Sequence, residues 1–325
     1  MANIILPPAW RIPEREATPE AVYLTRRSCL GLLALGGLAL AGVLPACTAP
    51  VSEEDFAKEH PSWDLSDADR AVYPAKRNSL FVLDRPLTPE YLAAQYNNFY
   101  EFSEAKDNVW RRVKRFMTRP WSVEVGGLVR NPLQADVDDF LKMMPIEERL
   151  YRLRCVEAWA VAVPWTGFPL KALIERVEPL NTARFLTFTS FHIPSVAPGQ
   201  NGYGPWPYTE GLTLGEATNE LAFLATGIYG HPLPKQHGAP IRLVVPWKYG
   251  YKSIKSVVKI EFVAQQPRTF WNTLVPHEYD FLANVNPAIA HPRWSQRTER
   301  LLGTNERRDT LYLNGYDRWA AALYA

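Results

Sequence analysis

The sequence predicts a mixed α+β fold, and three observations carry that expectation. Strand-like and helix-like stretches follow one another without the regular alternation that a doubly wound parallel sheet requires. Apolar residues recur at strand spacing in some stretches and at helix spacing in others. The 28 prolines and 11 tryptophans often stand side by side, as in "RPW", "VPW", "GPWPY" and "HPRW". The residue before a proline is pushed out of the helical region, so these pairs hold turns and extended backbone in a loop-rich chain.

Along the chain, residues 78–102 read as irregular, with one short helix near 89–97. "WSVEVGGLV", from Trp121, alternates as a strand does, and "RNP" turns it. "DVDDFLKMMP" offers Asp136 as an N-cap before apolar residues at helical spacing, and ends before Pro145. "RLYRLRCVE", Arg149 to Glu157, alternates again and predicts a strand with Cys155 near its end. "FPLKALIERV" predicts a helix with Pro169 near its first turn and Leu170, Leu173, Ile174 and Val177 buried. "ARFLTFTSF" predicts a strand. Thr213 and Glu216 of "TLGEATNE" stand in capping-box spacing. "APIRLVVPW" and "SIKSVVKIEFVA" predict two more strands, and from Gln266 the chain reads as irregular to its closing "TLYLNGYDRWAAALYA". No internal repeat is visible.

The first residues carry an address. In "LTRRSCLGLLALGGLALAGVLPACTAP", Arg26 and Arg27 precede an apolar run from Cys29 to Leu44 and then the small residues Ala46, Thr48 and Ala49. That is the layout of a signal peptide, and the arginine pair marks the twin-arginine route, which exports proteins already folded. Residues 1–50 are therefore expected to be a leader read by the twin-arginine translocon, and 51–325 a single domain working in the periplasm. A membrane anchor is the competing reading, but the run falls short of the roughly 20 apolar residues that a span needs. "LPAC" also reads as a lipoprotein box that would lipidate Cys47, beside its reading as an ordinary cleavage zone. The net charge of +2 implies no nucleic-acid partner, and "WRRVKR" at Trp110 to Arg115 reads as a solvated helix face.

Of the three cysteines, Cys29 and Cys47 lie in the leader, which leaves Cys155 without a partner for an intrachain disulfide. Three readings stand for it: a small buried hydrophobe, a nucleophilic thiol, or a soft thiolate ligand for a metal. Five of the six histidines (His192, His231, His237, His277 and His291) sit in no nucleophile motif, and the chain has neither CxxC nor HExxH.

"RCVEAWAVAVPWTGFPL" resembles the cysteine segment of the sulfite-oxidase superfamily of molybdenum enzymes, and within it the catalytic subunits of bacterial periplasmic protein-methionine-sulfoxide reductases. "YNNFYEF" at Tyr96, "KQHGAPIRLVVPWKYGYKSIKSV" at Lys235, "WNTLVPHEYDFLANVNPAIAHPRWSQ" at Trp271 and "LYLNGYDRW" at Leu311 resemble the same family, in the same order. The resemblance covers nearly all of residues 51–325. It implies a sulfite-oxidase-type molybdopterin-binding fold of mixed sheets, surrounding helices and long loops. It also implies one molybdopterin whose molybdenum is bound by the thiolate of Cys155, with Asn98 and Glu157 near the metal. Glu157 stands two residues beyond Cys155, so an extended strand would put both side chains on one face. There it could relay protons, or only orient the site. Arg154 reads as a helper of the thiolate or of an anionic substrate group, or as a surface strand arginine.

The resemblance assigns the terminal phosphate of the pterin to Arg242 and to the Ser253, Ile254, Lys255 turn, whose guanidinium, hydroxyl, main-chain N–H groups and ammonium suit an anion. Asn97, Tyr100 and Glu101 would meet the pterin rings; the plainer reading of "YNNFYEF" is an amide-capped turn with its aromatics in the core. His237 and Ser190 replace the Asn and Thr common in the family and keep hydrogen-bonding ability. Trp206, Tyr208, Trp247 and Tyr249 are candidates for an aromatic rim around a sulfoxide. The implied reaction is oxygen-atom transfer from methionine sulfoxide, in oxidised periplasmic proteins among others. The chain shows no CxxCH haem motif, and the implied electron source is a separate membrane b-haem, quinol-linked subunit. A sulfite-oxidising dehydrogenase of the same superfamily and a non-catalytic periplasmic binding protein are the alternatives.

Overall fold

Two sheets carry the computed structural model, which describes residues 52–59, 65 and 67–325. Arg26, Arg27, Cys29 and Cys47 lie outside the described residues. The strands are β1 (Ser122–Gly127), β2 (Leu133–Asp136), β3 (Glu147–Arg154), β4 (Trp159–Pro169), β5 (Phe185–Ser190) and β6 (Thr209–Thr213), then β7 (Phe223–Ile228), β8 (His231–Pro232), β9 (Arg242–Val244), β10 (Val257–Val263), β11 (Thr298–Leu301) and β12 (Arg307–Asp309). One sheet runs β2-β1-β10-β5-β6, with only the β1–β10 pair parallel. The other runs β12-β11-β4-β7-β8, with β3 also paired to β4 and β9 to β7. Short helices, the longest Leu170–Val177 at eight residues, join and cover the strands. The fold is thus α+β, as expected.

Local chemistry explains most of the elements. β5 alternates buried and half-buried residues, the period-two pattern of a sheet with one face in the core. The helix Val137–Met143 starts where the Asp136 carboxylate accepts the Asp138 N–H at 3.0 Å. Thr213 and Glu216 close a reciprocal capping box at 3.1 and 2.9 Å. The helix Leu170–Val177 buries the four apolar residues its spacing predicts. The core joins both sheets: Val123, Val125, Phe188 and Phe262 of the first pack in one cluster with Tyr151, Val163, Phe168 and Leu224 of the second.

Three expectations are corrected. The strand expected over 149–157 stops at Arg154, and Cys155 to Ala158 form the turn between β3 and β4. Ala158 takes φ 63°, its N–H donates to Cys155 O at 3.0 Å, and the Cys155 N–H donates to Trp159 O at 2.9 Å. The strand expected in "APIRLVVPW" is only three residues, bounded by Pro240 and Pro246, which have no N–H to give a ladder. The strand in "SIKSVVKIEFVA" begins at Val257, after Ser256 at φ 49°. β4 and β7 carry no simple alternation, because β7 is buried on both faces and most of β4 is too. Among the described residues, no helix is long and apolar enough to cross a membrane.

Candidate active site

The β3–β4 turn delivers Cys155 to the wall of a cavity with about 1050 Å³ of space outside protein atoms, part of it open to solvent. The thiol is buried, beside Val156, Tyr249, Tyr279 and Val285. The Asn98 amide N–H lies 3.4 Å from its sulfur and donates to Glu157 Oε2 at 3.0 Å. That same carboxylate oxygen is 3.6 Å from the sulfur, and Lys106 Nζ is 3.0 Å from Glu157 Oε1. Asn98 and Glu157 therefore do stand over Cys155, but the turn brings Glu157 there, not the alternation of a strand. Burial pushes the Cys155 thiol up to about 12, and the Glu157 charge adds to it. Burial also pushes Glu157 up, but the Asn98 amide and the Lys106 ammonium outweigh it and hold the carboxyl below its usual range. This is the geometry of an ionised, oriented carboxylate.

The same cavity wall also carries two cations. Arg242 is buried on β9, with Nη1 donating to His237 O at 2.9 Å and Nη2 to Ser253 O at 3.0 Å, and its guanidinium lies 4.9 Å over the Trp165 ring. Lys255 Nζ donates to Asn98 O at 2.8 Å and to Gln236 O at 2.9 Å. Among the described residues neither cation has a carboxylate within ion-pair distance. Burial lowers Arg242 to about 9, and burial followed by the Arg242 charge holds Lys255 well below the usual ammonium range. The buried Nε2 atoms of Gln236 and His237 and the buried Oδ1 of Asn98 have no hydrogen-bond partner. The two cations are what a bound anion would satisfy, whereas the Asn98 oxygen is an acceptor and calls for a donor.

Of the expected site residues, Asn97, Asn98, Tyr100, Glu101, Cys155, Glu157, His237, Arg242, Ser253, Ile254 and Lys255 all line this one cavity. Ser190 does not; its hydroxyl donates to Lys255 O at 2.8 Å from behind the wall. Asn97 spends its amide N–H groups on Ala93 O and Ala94 O, both at 3.0 Å, at the end of the helix Glu90–Gln95. The amide-capped turn and the cavity wall are thus the same structure. Glu101 is buried, and burial raises its carboxyl to about 7. The expected aromatic rim needs correction. Only Tyr208 lines the cavity; Trp247 is fully buried with Nε1 donating to Tyr324 OH at 2.8 Å, Trp206 packs on Phe270, and Tyr249 packs beside Cys155. The aromatics that do surround the thiol are Tyr96, Tyr100, Trp159, Tyr251, Trp271 and Tyr279. Trp271 and Tyr279 sit in a motif the sequence singled out; Lys106 sits in none. Arg154 holds neither the thiol nor the cavity: its guanidinium is fully buried and donates to the Cys155 carbonyl oxygen and to Gln296 Oε1.

The donor set fits the expected molybdopterin. Among the described residues the cavity wall carries one soft sulfur, two cations and several aromatic side chains. Among the described residues no group of three or more His, Cys, Asp or Glu side chains is placed to hold a metal. A metal at Cys155 would find at most one more such side chain beside it and would need further ligands, which a cofactor could supply.

The family described as "Oxidoreductase molybdopterin binding domain" matches residues 111–271. The protein-methionine-sulfoxide reductase catalytic subunit MsrP of Burkholderia mallei is 46% identical over 323 residues, 96% of this chain and 93% of that one. Among solved structures, the sulfane dehydrogenase SoxCD from Paracoccus pantotrophus aligns over 85% of this chain and 67% of that chain, with 15% identity and a TM-score of 0.42.

Proposed function

The chain belongs to the molybdopterin-binding oxidoreductases, among the protein-methionine-sulfoxide reductase catalytic subunits, and from that premise we propose that it reduces methionine sulfoxide to methionine with Cys155 as the protein's ligand to molybdenum. The observation that carries the reading is the cavity itself, which joins one lone thiol to two cations without a carboxylate partner.

Each residue then has a physical task. Arg242 and Lys255 hold the phosphate of a single molybdopterin, with Ser253 and Ile254 shaping the main chain around it. Asn97, Tyr100, Glu101 and His237 face its rings. When bound, the cofactor supplies a two-electron centre able to accept an oxygen atom. Cys155, whose thiol burial raises to about 12, would hold the metal as a thiolate, since a bound cation favours the deprotonated sulfur. Asn98 and Glu157 orient the reacting face, and Lys106 keeps Glu157 charged. The aromatic wall excludes water and takes up the methyl thioether, whose sulfur gains about 0.3–1.5 kcal/mol against a ring. Electrons come from a membrane b-haem, quinol-linked subunit. Arg26 and Arg27 direct twin-arginine export, so the clients are oxidised periplasmic proteins and the role is their repair.

The test is purification from a host that makes molybdopterin, followed by metal and pterin analysis and parallel assays of sulfoxide reduction and sulfite oxidation. One molybdenum and one pterin with sulfoxide reduction is the expected result. Sulfite oxidation alone, or protein without either component, overturns it.

A further inference from the structure

The turn that carries Cys155 is held from outside by one distant segment. Val156 O accepts from Gln296 Nε2 and from Trp294 Nε1, both at 2.7 Å, and Ala158 O accepts the Arg300 N–H at 2.9 Å. Cys155 O accepts from Arg154 Nη1. Arg154 is anchored in turn by the same segment: Nη2 donates to Gln296 Oε1 at 2.9 Å, Thr298 O at 3.2 Å and Thr310 Oγ1 at 3.3 Å, and Nε lies 3.3 Å from Glu299 Oε2. Arg85 completes the pair with Glu299 at 2.7 Å, and both of those side chains are buried. The segment 294–310 lines no part of the cavity and lies beyond residues 111–271. Within the turn, Ala158 keeps φ 63°, which a residue with a side chain holds only where its surroundings over-determine it.

We infer that the segment 294–310, acting through Arg154 and Gln296, fixes the direction of the Cys155 sulfur, so that Arg154 and Gln296 are positioning residues for the metal-binding thiolate. The inference rests on the reading of Cys155 as that ligand. A turn free to rock about β3 and β4 would present its sulfur over a range of directions, and a ligand held by partners behind it keeps both its geometry and its donor strength. Gln296 is the hinge of the clamp, because its two amide ends serve Arg154 and Val156 separately.

The experiment compares wild type, Gln296→Glu and the double variant Gln296→Glu with Trp294→Phe, all loaded with cofactor. Gln296→Glu keeps the oxygen that accepts from Arg154 and loses the N–H to Val156 O; Trp294→Phe removes the second N–H. Molybdenum and pterin content, kcat and KM for methionine sulfoxide, and X-ray absorption at the molybdenum edge are measured. The expected result is near-normal metal content, kcat per molybdenum lower by about ten- to a hundredfold in the double variant, little change in KM, and a wider spread of metal–sulfur distances. If the double variant does not accumulate, Gln296→Glu alone carries the comparison. Variants that lose only thermal stability while keeping kcat and the absorption spectrum overturn the inference. Wild type without molybdenum overturns instead the functional reading beneath it.

Discussion

Two groups on the cavity wall, sharing Asn98, are built differently. In the cationic group, Arg242 and Lys255 reach main-chain carbonyls: those of His237 and Ser253, and those of Asn98 and Gln236. In the thiol group, Cys155, Asn98, Glu157 and Lys106 hold one another side chain to side chain. A carbonyl stays in place when its own side chain is changed, whereas a side-chain network loses a member with each substitution. The Arg242 side is also buried, while the Lys106 and Glu157 side chains keep 23% and 28% of their exposure. On the proposed reading, the cationic group retains the cofactor and the thiol group meets the substrate.

That contrast gives graded expectations. The largest effect belongs to Cys155→Ser: activity is abolished while the protein folds and still retains pterin, because serine is a hard donor in place of a soft one. Pterin analysis beside the sulfoxide assay reads both halves, and activity near wild type would remove Cys155 from the site. Next is Arg242→Ala, which lowers cofactor content more than turnover per molybdenum, since a charge-assisted contact worth about 1.5–3 kcal/mol is lost. Unchanged occupancy after dialysis would contradict the assigned role. Glu157→Gln is expected to act the other way, with cofactor retained and kcat per molybdenum down by about tenfold; a variant that sheds cofactor at normal specific turnover would erase the distinction between the two groups.

The smallest effect is a slope. Burial raises the Glu101 carboxyl from 4.5 to about 7, so in cofactor-free protein the unfolded chain ionises first as pH rises. Its contribution is fully present below pH 4.5 and is lost through pH 7, at about 1.4 kcal/mol per pH unit within that window. Thermal midpoints of wild type should fall relative to Glu101→Gln across that window and run parallel above it. Parallel curves throughout would show that Glu101 is not desolvated.

Local features were the most legible part of the sequence. The Asp136 cap, the Thr213–Glu216 box and the buried stripe of Leu170–Val177 each depend on neighbours within a turn or two. The cavity residues were legible only through long family motifs, since nothing in the spacing of "YNNFYEF" or "APIRL" announces an anion, and Ser190, named the same way, stands behind the wall. The Cys155 turn was misread because Arg149 to Arg154 alternates and nothing local signals that Ala158 adopts a positive φ. Lys106 and Gln296 escaped because their partners lie far along the chain. The aromatic wall was assigned to Trp206 and Trp247 because an aromatic in a loop reads the same whether it faces a cavity or the core.

The clamp on the Cys155 turn also fixes a sequence of events. Asn98 meets Cys155 across 57 positions, Arg154 meets Gln296 across 142, and Lys255 meets the Asn98 carbonyl across 157. Contacts so distant along the chain close late, after the entropy of the intervening loops has been lost. The thiol-bearing hairpin forms from adjacent strands, but it acquires its outer hold only after residues 294–310 have been synthesised and have docked. If the clamp aims the thiol as proposed, cofactor insertion into a finished site is expected only in the completed polypeptide, and a chain ended before Trp294 would own the thiol without the means to aim it.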